Sequence, residues 1–299
     1  MLAFTVLTTF LALAPGMVSA GLNKGIAYSK GLHDPFIKLE QVKSVSAKSR
    51  KSSVPDVCKQ YGKGPAFGMA GDIKCDVSKM QAREVTFGDC GQSWTLCRCP
   101  DANLSMDQLQ QRVGQIPPGI RSYVGAFLAT KSEFCNAVTF NGDFIRVHGK
   151  CGSSVMLHEA GHALDDGFSG SKKFKDALNK DKCVPDSYAN TNTAEDFAQL
   201  TVMEAYETRF KKLPGHPSCL HNQMMTLRKD KRIQEAMKAK KCLPKRRPFT
   251  TKNTLKPKRL VEEEEEAGEW EEREYDEDDS DLFEDITIGT VTVPFTDVE

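Results

Sequence analysis

Apolar and polar positions change period along the chain, and three stretches carry the clearest pattern. From Leu2 to Ala14 the residues are largely apolar, and Pro15 and Gly16 break the run. It is too short to span a bilayer; with Val18 and Ala20 at the small-residue positions it predicts a secretory leader cut after Ala20. Phe144-Ile145-Arg146-Val147-His148 alternates as a short strand does. Gly149 and Gly152 interrupt it, and Ser153 or Ser154 is placed to cap a helix whose apolar and small residues continue from Val155 to Leu164 until Gly167. A second helix is predicted where Ala194-Glu195-Asp196-Phe197-Ala198-Gln199-Leu200 opens an amphipathic stretch towards Phe210, with Asn192 or Thr193 as its cap. No later segment is long and apolar enough to be a membrane helix.

Charge adds domain limits to this picture. The net charge is zero, but residues 24–63 are rich in Lys and Ser, residues 228–259 are strongly basic, and residues 262–285 hold sixteen Asp and Glu against one Arg. Such blocks rarely bury a core. The ten cysteines, Cys58, Cys75, Cys90, Cys97, Cys99, Cys135, Cys151, Cys183, Cys219 and Cys242, are even in number and in an exported chain predict up to five disulfides. Their span gives a folded unit over residues 55–245. Residues 21–54 then read as a flexible basic arm or pro-segment, and residues 246–299 as a basic linker and an acidic disordered tail. Lys258-Arg259 is a dibasic step between these last two, and Asn103-Leu104-Ser105 is a sequon for N-glycosylation.

The chemistry is concentrated in His158-Glu159-Ala160-Gly161-His162. Positions i and i+4 of a helix share a face, so His158 and His162 can offer two nitrogens to one Zn2+, with Glu159 beside them as a general base. Catalytic zinc usually takes a third protein ligand and leaves a fourth position to water. A glycine at 165 and a histidine at 168 would mark one familiar class; Asp165 and Phe168 exclude it. Asp165, Asp166, His216 and His221 are candidates for the third ligand, but Glu195 is the best placed, on a second helix that can pack against the first. No C-x-x-C pair points to a cysteine zinc site, and the basic stretch from Arg228 to Arg259 has no recognised nucleic-acid fold.

HEAGHALDD, SKKF and SYANTNTAEDFAQ together resemble the catalytic domain of the anthrax lethal factor-like zinc metallopeptidases, over residues 153–210. The resemblance implies an α+β, zincin-like fold with His158, His162 and Glu195 as zinc ligands, Glu159 as base and Tyr188 as oxyanion stabiliser. Asp196 and Gln199 depart from it, standing where those domains often carry an aromatic residue and an acid. Leader, cysteines and this domain in one chain look like a secreted fungal protein of the conidiation-specific kind. The expected function is therefore a secreted zinc metallopeptidase acting on a peptide or protein substrate. The alternative is a non-catalytic extracellular protein that keeps the fold and attaches to a wall or spore surface, its acidic tail meeting the cell wall or a basic protein. Neither nucleic acid nor membrane is an expected partner.

Overall fold

Strand-forming runs rich in Val, Phe, Thr and Ala build a mixed α+β fold in the computed structural model, which describes residues 21–65, 72–140, 142–215 and 217–244. The expected leader, the basic linker with its Lys258-Arg259 step, the acidic tail and His216 lie outside these residues. The chain divides into a unit through Pro257 and a second, Lys258–Glu299; all described residues belong to the first.

The order along the chain is β1 (Gly25–Ile26), β2 (Ala47–Ser52), α1 (Asp56–Tyr61), β3 (Lys63–Pro65), β4 (Asp72–Lys74), β5 (Gln81–Phe87), β6 (Ser93–Arg98), α2 (Met106–Gln115), α3 (Pro118–Arg121), β7 (Ala126–Thr130), β8 (Asn136–Phe140), β9 (Phe144–His148), α4 (Ser153–Asp165), α5 (Lys172–Lys180), β10 (Cys183–Val184), α6 (Thr193–Phe210), α7 (His221–Lys229) and α8 (Lys231–Lys238). None of the described helices is long and apolar enough to cross a membrane.

The main sheet has the order β2-β5-β6-β7-β9-β8, parallel at β6/β7/β9 and antiparallel elsewhere. Every residue of β7 and β9 is buried, as strands covered on both faces require. Helices α2 and α4 supply one cover, α2 against β5 and β6, α4 against β8 and β9. The other comes from α1, whose Tyr61 ring stacks 4.3 Å from Phe140 and lies 4.8 Å from Phe144. The alternation in β9 therefore marks two buried faces rather than one wet and one dry. Arg146 is accommodated because its guanidinium donates to the Tyr61 carbonyl at 2.9 Å and lies 4.7 Å over Phe140. Burial and then this guanidinium push the His148 imidazole down to about 4, so it is neutral at physiological pH.

All ten cysteines pair, as Cys58–Cys97, Cys75–Cys99, Cys90–Cys242, Cys135–Cys151 and Cys183–Cys219. Cys97 and Cys99 stand two residues apart at the end of β6, so both sulfurs leave the same face and tie α1 and the β4–β5 connection over it. Cys135–Cys151 clamps the start of the edge strand β8 to the turn before α4.

The stretch from 21 to 54 is a correction to the sequence reading, because it is part of the fold rather than an arm. β1 pairs in parallel with β10, and β2 is an edge of the main sheet against β5. Between them Phe36 is fully buried, its ring 5.3 Å from Tyr28 and 4.8 Å from Tyr206. The Lys and Ser content reflects the exposure of an edge strand, which charged residues protect from further pairing.

Candidate metal centre

Helix α4 begins two residues before its expected start. Ser153 and Ser154 are its first helical residues, and the capping position is Gly152, which offers no side chain. Glu40, from the amino-terminal part of the chain, does the capping instead: its carboxylate accepts from Ser153 N at 2.7 Å and Ser154 N at 3.0 Å. Arg112 donates to the same group at 2.7 Å. Burial raises the Glu40 pKa, but these N–H groups and the guanidinium outweigh it and hold the carboxyl below its usual value. At the other end Asp166 takes a left-handed conformation, φ 46°, and points to solvent. Asp165 accepts from Ser169 N and Oγ, each at 2.6 Å. Both are occupied with ending the helix, and His221 opens the separate helix α7.

Helix α6 packs against α4. It is buried on nearly all sides from Asp196 to Tyr206, so it lacks the strong amphipathic stripe of a surface helix. Gly161 permits the close crossing: a Cβ there would lie 3.1 Å from Thr201 Cβ and 3.2 Å from Ala198 Cα. Asn192 caps α6 by accepting from Ala194 N at 2.9 Å and Glu195 N at 3.0 Å, which fixes Glu195 in the first turn.

The result is a triangle of potential ligand atoms. His158 Nε2 and His162 Nε2 are 3.1 Å apart, and Glu195 Oε2 is 3.1 Å from the first and 3.2 Å from the second. Three tetrahedral ligands each about 2.0 Å from one ion would stand about 3.3 Å apart. The donor set, two imidazoles and one carboxylate, is that of zinc with an open position. Residues and spacing therefore fit the ion.

Around the triangle, His158 Nδ1 lies 3.2 Å from Gln199 Oε1, and Gln199 Nε2 donates to Asp186 Oδ2 at 2.6 Å. Glu159 is buried and its Oε2 accepts from Thr139 Oγ1 of β8 at 2.6 Å. Tyr188 is 53% exposed, its ring 5.5 Å from that of His158. His158, Glu159 and Tyr188 line a cleft of about 390 Å3, together with Leu32, His33 and Ala137. Burial raises the Glu195 pKa, but hydrogen bonds from the two imidazoles overcome it and bring the carboxyl down to about 2. Burial lowers that of His162, and Glu195 and the nearby acids raise it by more. Burial, then the charges of Glu195 and Glu159, push the Tyr188 phenol up to about 12.

His158, Glu159 and Tyr188 thus line one cleft, and His162 and Glu195 join His158 in the triangle beside it. Glu40, Asp186 and Thr139 were not expected there; nothing in their local sequence announces it. Gln199 had a readable signal, since it lies four residues after Glu195 on the same face of α6.

The class these features define is a disulfide-bridged α+β protein with a two-histidine, one-carboxylate cluster. The chain belongs to the Con-13 family of conidiation-specific proteins, which it matches over residues 42–239. It is 32% identical over 164 residues to conidiation-specific protein 13 of Neurospora crassa, covering 50% of this chain and 47% of that protein. The chain therefore spans about half the length of this curated relative. No solved structure matches it. The family overturns the resemblance to lethal factor-like metallopeptidases, and nothing in these similarities points to protease activity. That resemblance rested on short stretches around one helix pair, and two histidines with a facing glutamate arise wherever such a pair gathers metal ligands.

Proposed function

We propose that the protein is a secreted, disulfide-stabilised zinc-binding protein of conidiation, holding one ion in a zincin-like arrangement on His158, His162 and Glu195. Its role is non-catalytic, at a wall or spore surface. The observation that carries the reading is the triangle of Nε2, Nε2 and Oε2 atoms at 3.1–3.2 Å, closed by residues of two helices. A zinc ion there cross-links α4 to α6 and so adds its binding energy to folding. The leader-like first twenty residues and the pairing of all ten cysteines support secretion. The setting in conidiation is carried over from the relative's name.

The test is zinc content per chain on purified protein, wild type against Glu195→Ala. One zinc per chain, with weaker binding in the variant, is expected; wild-type protein that takes up no zinc overturns the reading. Attachment to a wall fraction should be lost on deletion of residues 260–299 and unchanged in Glu159→Gln.

One observation favours a second reading, hydrolysis. Glu159 lines the cleft beside the ligands, and Thr139 fixes its carboxylate at 2.6 Å, where it can accept a proton from water. Bound zinc would supply Lewis acidity, and Tyr188 would donate a hydrogen bond to a developing oxyanion. Turnover of a broad substrate panel, lost in Glu159→Gln with zinc retained, is the result that would favour it over the first.

A further inference from the structure

Asn103-Leu104-Ser105 has no part in the metal centre, and it is the only Asn-x-Ser/Thr triplet in the chain. It lies in the connection between β6 and α2, which Arg98 holds in place by donating to the carbonyls of Pro100 at 3.0 Å, Ala102 at 2.7 Å and Leu104 at 2.7 Å. Leu104 is buried, so the residues on either side of it turn outward, and Asn103 and Ser105 are both exposed. Ser105 caps α2 by accepting from Gln108 N at 3.1 Å. The Asn103 amide is oriented by the neighbouring β7–β8 connection, where Ser132 N lies 2.9 Å from Oδ1. A backbone N–H can only donate, so the amide must turn its oxygen to Ser132 and its nitrogen away. Nδ2 then has no partner among the described residues. It is also the atom that an N-linked sugar joins, so a sugar there displaces no hydrogen bond of the fold.

We infer that Asn103 carries an N-linked glycan and that this glycan shields the β7–β8 connection at the peptide bond from Lys131 to Ser132. The glycan depends on the secretion proposed above and not on zinc. Its donor is an oligosaccharide carried on a lipid pyrophosphate, the co-substrate class of a eukaryotic secretory lumen. The sugar C1–O bond to pyrophosphate breaks and the pyrophosphate leaves with the electron pair; C1 bonds to Nδ2, and the amide gives up one proton. Nothing is oxidised or reduced. Ser132 N belongs to the Lys131–Ser132 peptide bond, so the amide that bears the first sugar is hydrogen-bonded to that bond itself. Lys131, Glu133 and Phe134 are exposed, Phe134 by 75%, and the connection runs on into Cys135, Asn136 and Ala137 in the wall of the cleft. Bare, this segment offers proteases a basic and an aromatic residue at the edge of the cleft; exposed loops of this kind are where nicking concentrates.

The test is expression of the full chain with its own leader in a fungal secretory host, followed by peptide mass mapping of the protein in the medium. Expected is a peptide carrying added sugar mass at Asn103; an N-glycan amidase removes it and leaves an aspartate there, and Asn103→Gln lacks the added mass. The amidase-treated protein also tests where the glycan lies, because the new carboxylate can still accept from Ser132 N while the sugar is gone. Native protein with its sugar should resist trypsin after Lys131, and the treated protein should lose that protection. Secreted protein with an unmodified Asn103 overturns the site, and equal cutting after Lys131 with and without the sugar overturns its placement. A chain that its own leader fails to export counts against secretion alone. The same chain behind a leader of the host still meets the transferase, and an unmodified Asn103 in that secreted protein overturns the glycan.

Discussion

Replacing Glu40 by Ala removes the cap of the helix that carries both histidines, across 113 residues of sequence. The carboxylate satisfies two first-turn N–H groups, at 2.7 and 3.0 Å, and pairs with Arg112 at 2.7 Å. Gly152 cannot replace it, having no side chain, and a Cβ at 152 would collide with the carboxylate. Losing one side-chain cap costs about 0.5–2 kcal/mol, and a partly buried donor left unpaired costs about 1–3 kcal/mol. With water reaching part of the site, the combined loss should be about 2–3 kcal/mol. For a domain of this size each kcal/mol is worth about 2–4 °C, so the melting temperature should fall by roughly 4–12 °C. Glu40→Gln keeps one acceptor and should lose about half as much. The sign with pH follows from the depressed folded-state pKa: the stabilisation is fully present above the ordinary glutamate value and disappears as pH falls through the lower, folded one. Thermal melts of wild type and variant should differ at pH 7 and converge in acid. Melts within about 1 °C at pH 7, or a gap that persists unchanged at low pH, would refute this account.

Two further expectations concern α6 and its crossing with α4. Asp196 is fully buried and neither carboxyl oxygen has a hydrogen-bond partner among the described residues. Burial, then Asp181 and Asp186, raise its pKa well above the usual range, so folding takes up a proton and stability declines above about pH 4, by up to about 1.4 kcal/mol per pH unit. Asp196→Asn should therefore raise the neutral-pH melting temperature and lose that advantage below pH about 4; equal melts at every pH would count against it. Gly161→Ala gains about 1 kcal/mol in helix propensity, but its methyl meets Thr201 and Ala198 at 3.1–3.3 Å and must push α6 outward. Zinc affinity should fall by about tenfold, comparable with loss of a supporting contact; a more stable protein with undiminished affinity would show that the crossing has slack.

The parts legible in the sequence were those set by local period and spacing. Helix α4 was expected over Val155–Leu164 and runs Ser153–Asp165; α6 was expected to reach Phe210 and does. His158 and His162 share a face by spacing alone, and Asn192 is a capping residue next to an acidic first turn. What supports them was not legible, because Glu40, Thr139 and Asp186 arrive from other elements through the packing of the whole domain. The same holds for β9, whose alternation marked a strand without showing that α1 covers its second face with Tyr61. The lysines of β2 misled for a related reason: composition reports exposure, and an edge strand is both exposed and structural.

The parallel pairing of β1 with β10, together with the Cys90–Cys242 bridge, bears on how this protein should be produced in the laboratory. A polypeptide cut to the family match, 42–239, would lack β1, Phe36 and Glu40 at one end and Cys242 at the other, leaving Cys90 as a lone thiol. Such a fragment should come out oxidatively scrambled or insoluble, whereas one running from Gly21 through Pro244 retains the complete set of bridges.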